Sequence, residues 1–306
     1  MNQKPYVSYY VNTFNRCRLL QNMLKSFEVC NEYEGPHEWI ITDYGSTDGT
    51  RDFLLEFAND RKGVTLLFGD EKGYLEELAR RDLSPTNTRK KSHSFFGVSK
   101  NAARNIAKGD WFVEIADDHQ FIRKGDWITD AIEITKDRIE KYGKDDISSI
   151  IYRGLSYGRI LKKNNETYPE EIISHNCSYF VAQHKCYDDY HIQRGSVYQK
   201  IGPYFEPHAL EHEIADLWRA GKDNINHYID YLQRTESAGM KKVFMKFPYV
   251  IDFPNTIQKK LNKALECLIV PIISTEEMVT VFAHLNRPVS SDEILQIYNP
   301  DMGWNK

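Results

Sequence analysis

Three short polar clusters interrupt the apolar runs of this chain with side chains able to bind or react. Asn12-Thr13-Phe14-Asn15-Arg16 follows the run Tyr6 to Val11, Asp43-Tyr44-Gly45-Ser46 follows Glu38 to Thr42, and Asp117-Asp118-His119 follows Trp111 to Ala116. The adjacent carboxylates Asp117 and Asp118 are hard oxygen donors that suit Mg²⁺ or Mn²⁺, and an imidazole from His119 tilts the preference toward Mn²⁺. Asp117 with His119 is one choice of ligand pair; Asp118 as the principal ligand is the other. Trp111, Val113 and Ile115 are apolar, so the carboxylates are expected at the rim of a buried strand. Ser46 and Thr47 have two readings, lining a ligand or capping the helix that follows. Arg16 is suited to an anion or to a surface ion pair.

The elements that must position these clusters alternate. Tyr6 to Val11, rich in aromatic and β-branched residues, reads as a strand. Leu20, Met23, Leu24 and Phe27 then recur at helical spacing. Glu38 to Thr42 is a second strand, and the Gly, Ser, Thr and Asp residues between 43 and 50 form a turn into a helix carrying Phe53, Leu54, Phe57 and Ala58. Val64 to Phe68 is a third strand, Asn101 to Ala107 a helix and Trp111 to Ala116 a fourth strand. A helix from Trp127 to about Tyr142 and a strand from Ile147 to Tyr152 follow. Strands separated by helices imply crossovers, hence an α/β fold with a mostly parallel sheet flanked by helices. In such sheets ligands bind beyond the carboxyl ends of the strands, so the three clusters define one pocket.

Composition narrows the class. The 306 residues are 41% hydrophobic and 27% charged, enough apolar material for a sizeable core. Lys and Arg total 40 against 44 Asp and Glu, a net charge of −4 that gives no footprint for nucleic acid. No apolar run approaches the length of a membrane span, and no signal peptide is read at Met1. Five cysteines without paired spacing indicate reduced thiols and a cytoplasmic setting. Cys177 and Cys186, beside His175 and His184, fit no zinc pattern. Leu265 to Ile273 is apolar but short, and is expected to pack on the main domain or to form a homo-oligomer contact. Met278, Val279, Val281, Phe282 and Leu285 read as one face of a helix.

The order of the motifs carries a resemblance. Val7 to Arg16, then Trp39-Ile40-Ile41-Thr42-Asp43-Tyr44-Gly45-Ser46-Thr47-Asp48-Gly49-Thr50, resembles the opening of family 2 glycosyltransferases of the GT-A fold. Lys100 to Trp111 is similar to the segment before that family's metal motif, and Asp117-Asp118-His119 stands where the family has Asp-x-Asp. The similarity covers residues 6 to about 125 and, more loosely, 175 to 240.

The resemblance implies a GT-A catalytic domain over residues 1–240. Its nucleotide-binding half runs to about 120 and its acceptor half from 121, with a mainly helical C-terminal extension over 241–306. It implies inverting transfer of a sugar from a nucleotide-diphosphate donor to an acceptor hydroxyl, with Mn²⁺ or Mg²⁺ and a glycan as the default acceptor. Thr13, Asn15, Arg16, Asp43, Tyr44 and Ser46 would line the donor site, completed by Lys100 or Arg104, with Asp117 at the diphosphate. Tyr44 replaces the second Asp of the usual pair, which leaves the base of the donor open.

The family draws its base from an acidic pair ahead of a Leu-Trp-x-Arg run. Here Leu210-Glu211-His212-Glu213-Ile214-Ala215-Asp216-Leu217-Trp218-Arg219 corresponds, with Glu213 as the base and Glu211 second. The alternative is a charged first helical turn. Arg234 stands where the family often has a metal-binding His, and would pair with the diphosphate; His227 is an alternative ligand. Tyr204 and Phe205 are the candidates for stacking an acceptor, whereas Trp39, Trp111 and Trp218 read as core. A nucleotidyltransferase and a degenerate sugar-nucleotide-binding scaffold are the competing readings. The first would need a Gly-rich phosphate loop after the first strand, and Asn12 to Arg16 contains no glycine.

Overall fold

The computed structural model describes residues 3–69, 91–142, 147–152, 170–174, 177–182, 191–203 and 241–252, together with 272, 274–282, 293, 294 and 296. The elements run β1 (Val7–Thr13), α1 (Cys17–Cys30), β2 (His37–Asp43), α2 (Thr50–Asn59), β3 (Val64–Phe68), α3 (Lys91–Ile106), β4 (Trp111–Ala116) and β5 (His119–Phe121). Then come α4 (Trp127–Tyr142), β6 (Ile147–Ile151), β7 (Glu170–Ser174), β8 (Cys177–Ala182), β9 (Ile192–Arg194), α5 (Gly195–Ile201), β10 (Lys241–Met245), β11 (Val250–Asp252) and α6 (Thr275–Phe282).

Nine of these strands form one sheet in the order β3-β2-β1-β4-β9-β6-β10-β8-β7. β3, β2, β1 and β4 are mutually parallel, as are β6 and β10, while β9 and β8 run against their neighbours. This mixed, mostly parallel sheet flanked by helices is the α/β architecture expected of a GT-A fold.

A strand central to such a sheet must be apolar on both faces. β1 meets that demand with Val7, Tyr9 and Val11 on one face and Tyr10 on the other, all fully buried. The first face packs with Leu20, Met23, Leu24 and Phe27 of α1, Leu54 and Phe57 of α2, and Trp127, Ile128, Ala131 and Ile134 of α4. The second packs Tyr10 with Ile40, Phe112 and Ala103 of α3. Trp39 and Trp111 are core residues, 6% and 7% exposed.

Register places the site. Thr13 is level with Asp43, and Asn12 with Ala116, so the residues that leave β1, β2 and β4 emerge side by side at one edge.

The boundary drawn at residue 240 does not mark the end of the sheet. β10 lies between β6 and β8, and β11 pairs antiparallel with β5, setting Asp252 opposite His119. The short run Val243-Phe244-Met245, opened by two lysines, is too brief to announce an interior strand. Its three side chains are nonetheless 5% exposed or less. The helix expected around Met278 is present as α6, with Met278 fully buried. Among the described residues, no helix is long and apolar enough to cross a membrane.

Candidate active site

β1 has β2 on one side and β4 on the other, so the chain reverses its direction of travel across the sheet there. A crevice must open beyond the carboxyl ends of β1 and β4. Arg16 leaves β1 into this crevice and meets the two acids that leave β4. Its Nη1 donates to Asp117 Oδ1 and to Asp118 Oδ2, each at 2.9 Å. The acids are the more enclosed partners, 7% and 17% exposed against 32% for the Arg16 side chain. Burial pushes the Asp117 carboxyl up to about 6; Arg16 and the Thr13 hydroxyl pull it down, and the neighbouring Asp118 charge pushes it up. Two carboxylates in a poorly hydrated corner are a strong attractor for further positive charge.

The loops after β1 and β2 are stitched together. Asn15, the one described non-glycine residue at positive φ, adopts φ 52°. Its N–H donates to Ser46 Oγ at 2.7 Å, and its Oδ1 accepts from the Thr47 N–H at 2.7 Å. Asp48 accepts from the Cys17 N–H at 3.0 Å, the Thr50 N–H at 3.2 Å and the Thr50 hydroxyl at 2.5 Å, so it serves the starts of both α1 and α2. Burial alone would raise its carboxyl, but these hydrogen bonds hold it below the usual carboxylate range. Gly45 and Gly49 take φ of 94° and 90°, left-handed conformations that glycine adopts without penalty. Ser46 and Thr47 therefore do not cap α2, which starts after Gly49; they bind the neighbouring loop instead. A cleft of about 450 Å³ opens against this loop pair, lined by Asn15, Cys17, Arg18, Gln21 and Asp48.

Asp43 ends β2 fully buried. Its Oδ1 accepts from the N–H groups of Gly45 (3.1 Å) and Ser46 (3.2 Å) and from Arg51 Nε (2.5 Å). Among the described residues its Oδ2 is a buried acceptor without a hydrogen bond. Arg51 also donates to the Gly69 carbonyl at 2.5 Å and lies over the Phe68 ring at 5.1 Å. The Tyr44 ring approaches Gly69 so closely that a β-carbon there would run into it. Arg51 and Gly69 were not anticipated from the sequence. The available signal was that a buried carboxylate at a strand end needs a cation, and Arg51 is the first one beyond the turn.

Three further expected residues, Lys100, Arg104 and His119, are buried in contacts of their own. Lys100, fully buried, pairs with Glu114 at 2.5 Å, and His191 Nδ1 lies 3.7 Å from the same Glu114 oxygen. The Arg104 guanidinium stacks over Phe112 at 3.6 Å and Tyr198 at 5.1 Å, and donates to Gln193. A helix crossing between parallel strands returns antiparallel to them. α3 therefore descends from the carboxyl edge, placing Lys100 level with mid-strand Glu114 and Arg104 with Phe112 near the strand's start. His119 is fully buried, its Nδ1 accepting from the Ala116 N–H at 3.3 Å and its ring edge-on to Tyr152 at 6.3 Å. Among the described residues, no three acidic, imidazole or thiol groups gather as a ready cation site. Glu211, Glu213, Arg234, His227, Tyr204, Phe205 and Trp218 lie outside the described residues. Cys177 is a buried free thiol, and Cys186, His175 and His184 also lie outside.

No family model matches the chain, and no curated protein matches it. Among solved structures it is similar to S. aureus TarS, at 13% identity over 84% of this chain and 38% of that one, with a TM-score of 0.45. It is similar also to glucosyl-3-phosphoglycerate synthase from Mycobacterium tuberculosis in complex with Mn²⁺, UDP and glucosyl-3-phosphoglycerate. There the identity is 11%, over 85% of this chain and 76% of that one, with a TM-score of 0.39. A third is the mannosyltransferase PcManGT from Pyrobaculum calidifontis in complex with GDP-Man and Mn²⁺, at 18% identity over 49% of this chain and 36% of that one, with a TM-score of 0.32. The chain spans 38% of the TarS chain and 59% of its 1–349 form. The fold assignment rests on strand order and register.

Proposed function

We propose that this chain is a family 2 glycosyltransferase that moves a sugar, with inversion, from a nucleotide-diphosphate sugar to an acceptor hydroxyl, a glycan by default. The observation that carries the reading is the meeting of Arg16, Asp117 and Asp118 at the switch point, beside the stitched loops that hold Asn15, Asp43 and Ser46.

The donor set fits a divalent cation. Mg²⁺ and Mn²⁺ are commonly held by one or two carboxylates, with substrate phosphates and water completing the shell, so a third protein ligand is not required. Asp117 and Asp118 would hold the ion, and the ion pairs that both make with Arg16 support a corner that favours positive charge. Such an ion, when bound, acts as a Lewis acid that neutralises the charge growing on the departing diphosphate.

The chain's own residues do the rest. The stitched loops keep Thr13, Asn15 and Asp43 in one place, which prepares the nucleoside end before the donor arrives. The buried second oxygen of Asp43 is an acceptor for a base or ribose donor group, and the Tyr44 ring on Gly69 offers a face for a base. Arg234 would pair with the diphosphate. Glu213, or Glu211, would take the proton of the attacking hydroxyl, a contribution of about 10²–10⁴-fold.

A panel of nucleotide sugars scored for Mn²⁺-dependent hydrolysis tests the reading. Hydrolysis of one donor, abolished by chelation and by Asp118→Asn, is the expected result. No turnover on any donor overturns it, and nucleotide binding without turnover would favour the scaffold reading.

A further inference from the structure

The corner assigned to a divalent ion already holds a positive charge of the chain's own. Arg16 Nη1 stands 2.9 Å from one oxygen of Asp117 and 2.9 Å from one oxygen of Asp118, bridging the same two carboxylates. We propose that Arg16 is a built-in counter-ion: it clamps the carboxylate pair while metal is absent, and is released on loading to grip the donor diphosphate. The inference rests on the proposed function and deepens it.

Charge balance supplies the first reason. Among the described residues, the two carboxylates share the single positive charge of Arg16. A guanidinium stays protonated in this setting, so it competes with a doubly positive ion for the same two carboxylates, and the repulsion between the two cations weakens the bridge once the ion is bound.

Geometry supplies the second. Arg16 is 32% exposed while the acids are 7% and 17% exposed, so the guanidinium has a way out that the carboxylates lack. Its backbone, by contrast, is fixed. The Arg16 carbonyl accepts from the Leu20 N–H at 2.9 Å, and its neighbours Asn15 and Cys17 are tied to Ser46 and Asp48. Release therefore swings a side chain from an anchored Cα, and its planar fork stays within reach of the same crevice. A fork of that shape suits phosphate oxygens bidentately. Arg16 should then oppose metal binding in the free protein and favour the diphosphate in the loaded one.

The test is a Mn²⁺ titration of full-length wild type, Arg16→Gln and Arg16→Lys, followed by electron paramagnetic resonance of the free ion without nucleotide. UDP and GDP titrations at saturating Mn²⁺ follow. Arg16→Gln is expected to bind Mn²⁺ roughly tenfold tighter and the nucleoside diphosphate roughly tenfold weaker, with Arg16→Lys between the two. Circular dichroism and thermal melting check folding. If Arg16→Gln does not fold, Arg16→Lys must itself bind Mn²⁺ more tightly than wild type, or the proposal fails. Unchanged or weaker Mn²⁺ binding in Arg16→Gln, with wild-type binding lost in Asp117→Asn, overturns the counter-ion role and leaves the metal-dependent reading standing. No Mn²⁺ binding in any of these proteins at millimolar metal overturns both.

Discussion

Two pairs of acids in this molecule meet opposite fates. Asp117 and Asp118 sit in an enclosed corner where, among the described residues, Arg16 is the cation that bridges them, and burial pushes Asp117 up to about 6. Asp137 and Glu171, on α4 and β7, are surrounded. Glu171 takes Arg138 at 2.9 Å, Lys141 at 2.6 Å and the hydroxyls of Tyr142 and Tyr179, each at 3.2 Å. Asp137 takes Lys141 at 2.9 Å and the Tyr179 hydroxyl. Burial would raise both of these carboxyls, yet the partners hold them below their ordinary range: Lys141 with Arg138 and Tyr142 for Glu171, and Tyr179 with Lys141 for Asp137. The second pair is neutralised in place and serves to join a helix to a strand. In the first, burial keeps the Asp117 carboxyl raised even beside Arg16, which supports the ligand corner proposed above.

The sharpest way to break the comparison is to remove one acid from each pair. Asp117→Asn should cut metal-dependent donor hydrolysis by at least about 10³-fold while leaving the thermal midpoint near that of wild type, since it relieves one of two like charges. Glu171→Gln should do the reverse. It strips charge from a cluster that includes Arg138, only 2% exposed, and should cost about 1–3 kcal/mol in urea unfolding with hydrolysis unchanged. If Asp117→Asn unfolds the protein or Glu171→Gln silences it, the division between poised and satisfied acids is wrong.

The same division governs acid stability. Asp137 and Glu171 have folded-state carboxyls held below their unfolded values, so they bind fewer protons folded than unfolded. Their contribution is fully present above the unfolded carboxylate range and is lost as pH falls through the folded values. The raised Asp117 carboxyl works in the opposite direction between about pH 6 and pH 4, so the test is the difference between the two proteins: as pH falls from about 4 to 3, the urea midpoint should drop more in wild type than in Glu171→Gln. An identical slope in the two proteins would remove Glu171 from the acid limb.

Much of this arrangement was legible in the sequence, for reasons that differ by element. β1, β4 and α4 announce themselves because a doubly buried strand is a continuous apolar run and a half-buried helix repeats at 3.6. The three strand-end clusters were legible because parallel strands deliver their carboxyl ends to one edge. The contacts of Lys100 with Glu114 and of Arg104 with Phe112 were not, since a cation facing a buried glutamate and one facing a ligand obey the same helical spacing. Only the descent of α3 from the edge separates those cases. The inward turn of His119 depends on β5 pairing with β11, a partner remote in sequence, and no local pattern encodes it. Ser46 was ambiguous for a similar reason: a hydroxyl before a helix reads as a cap until the neighbouring loop is known to bring the Asn15 N–H to it.

Lys141 gives the finest resolution of the comparison. It bridges both acids of the satisfied pair, but its side chain is 40% exposed, whereas Arg138 is 2% exposed. Solvent and salt screen an exposed ammonium, so Lys141→Ala should cost no more than about 1 kcal/mol at neutral pH. Its signature lies in the titration instead. Without the ammonium, the Asp137 and Glu171 carboxyls rise toward their unfolded values, the gap that creates the acid limb narrows, and the urea midpoint should depend less on pH than in wild type. High salt should erase part of the wild-type dependence and leave the variant almost unmoved. Were Lys141→Ala as costly as Glu171→Gln, the exposed cation rather than the buried guanidinium would be what satisfies this pair, and the contrast with the Arg16 corner would have to be redrawn around exposure alone.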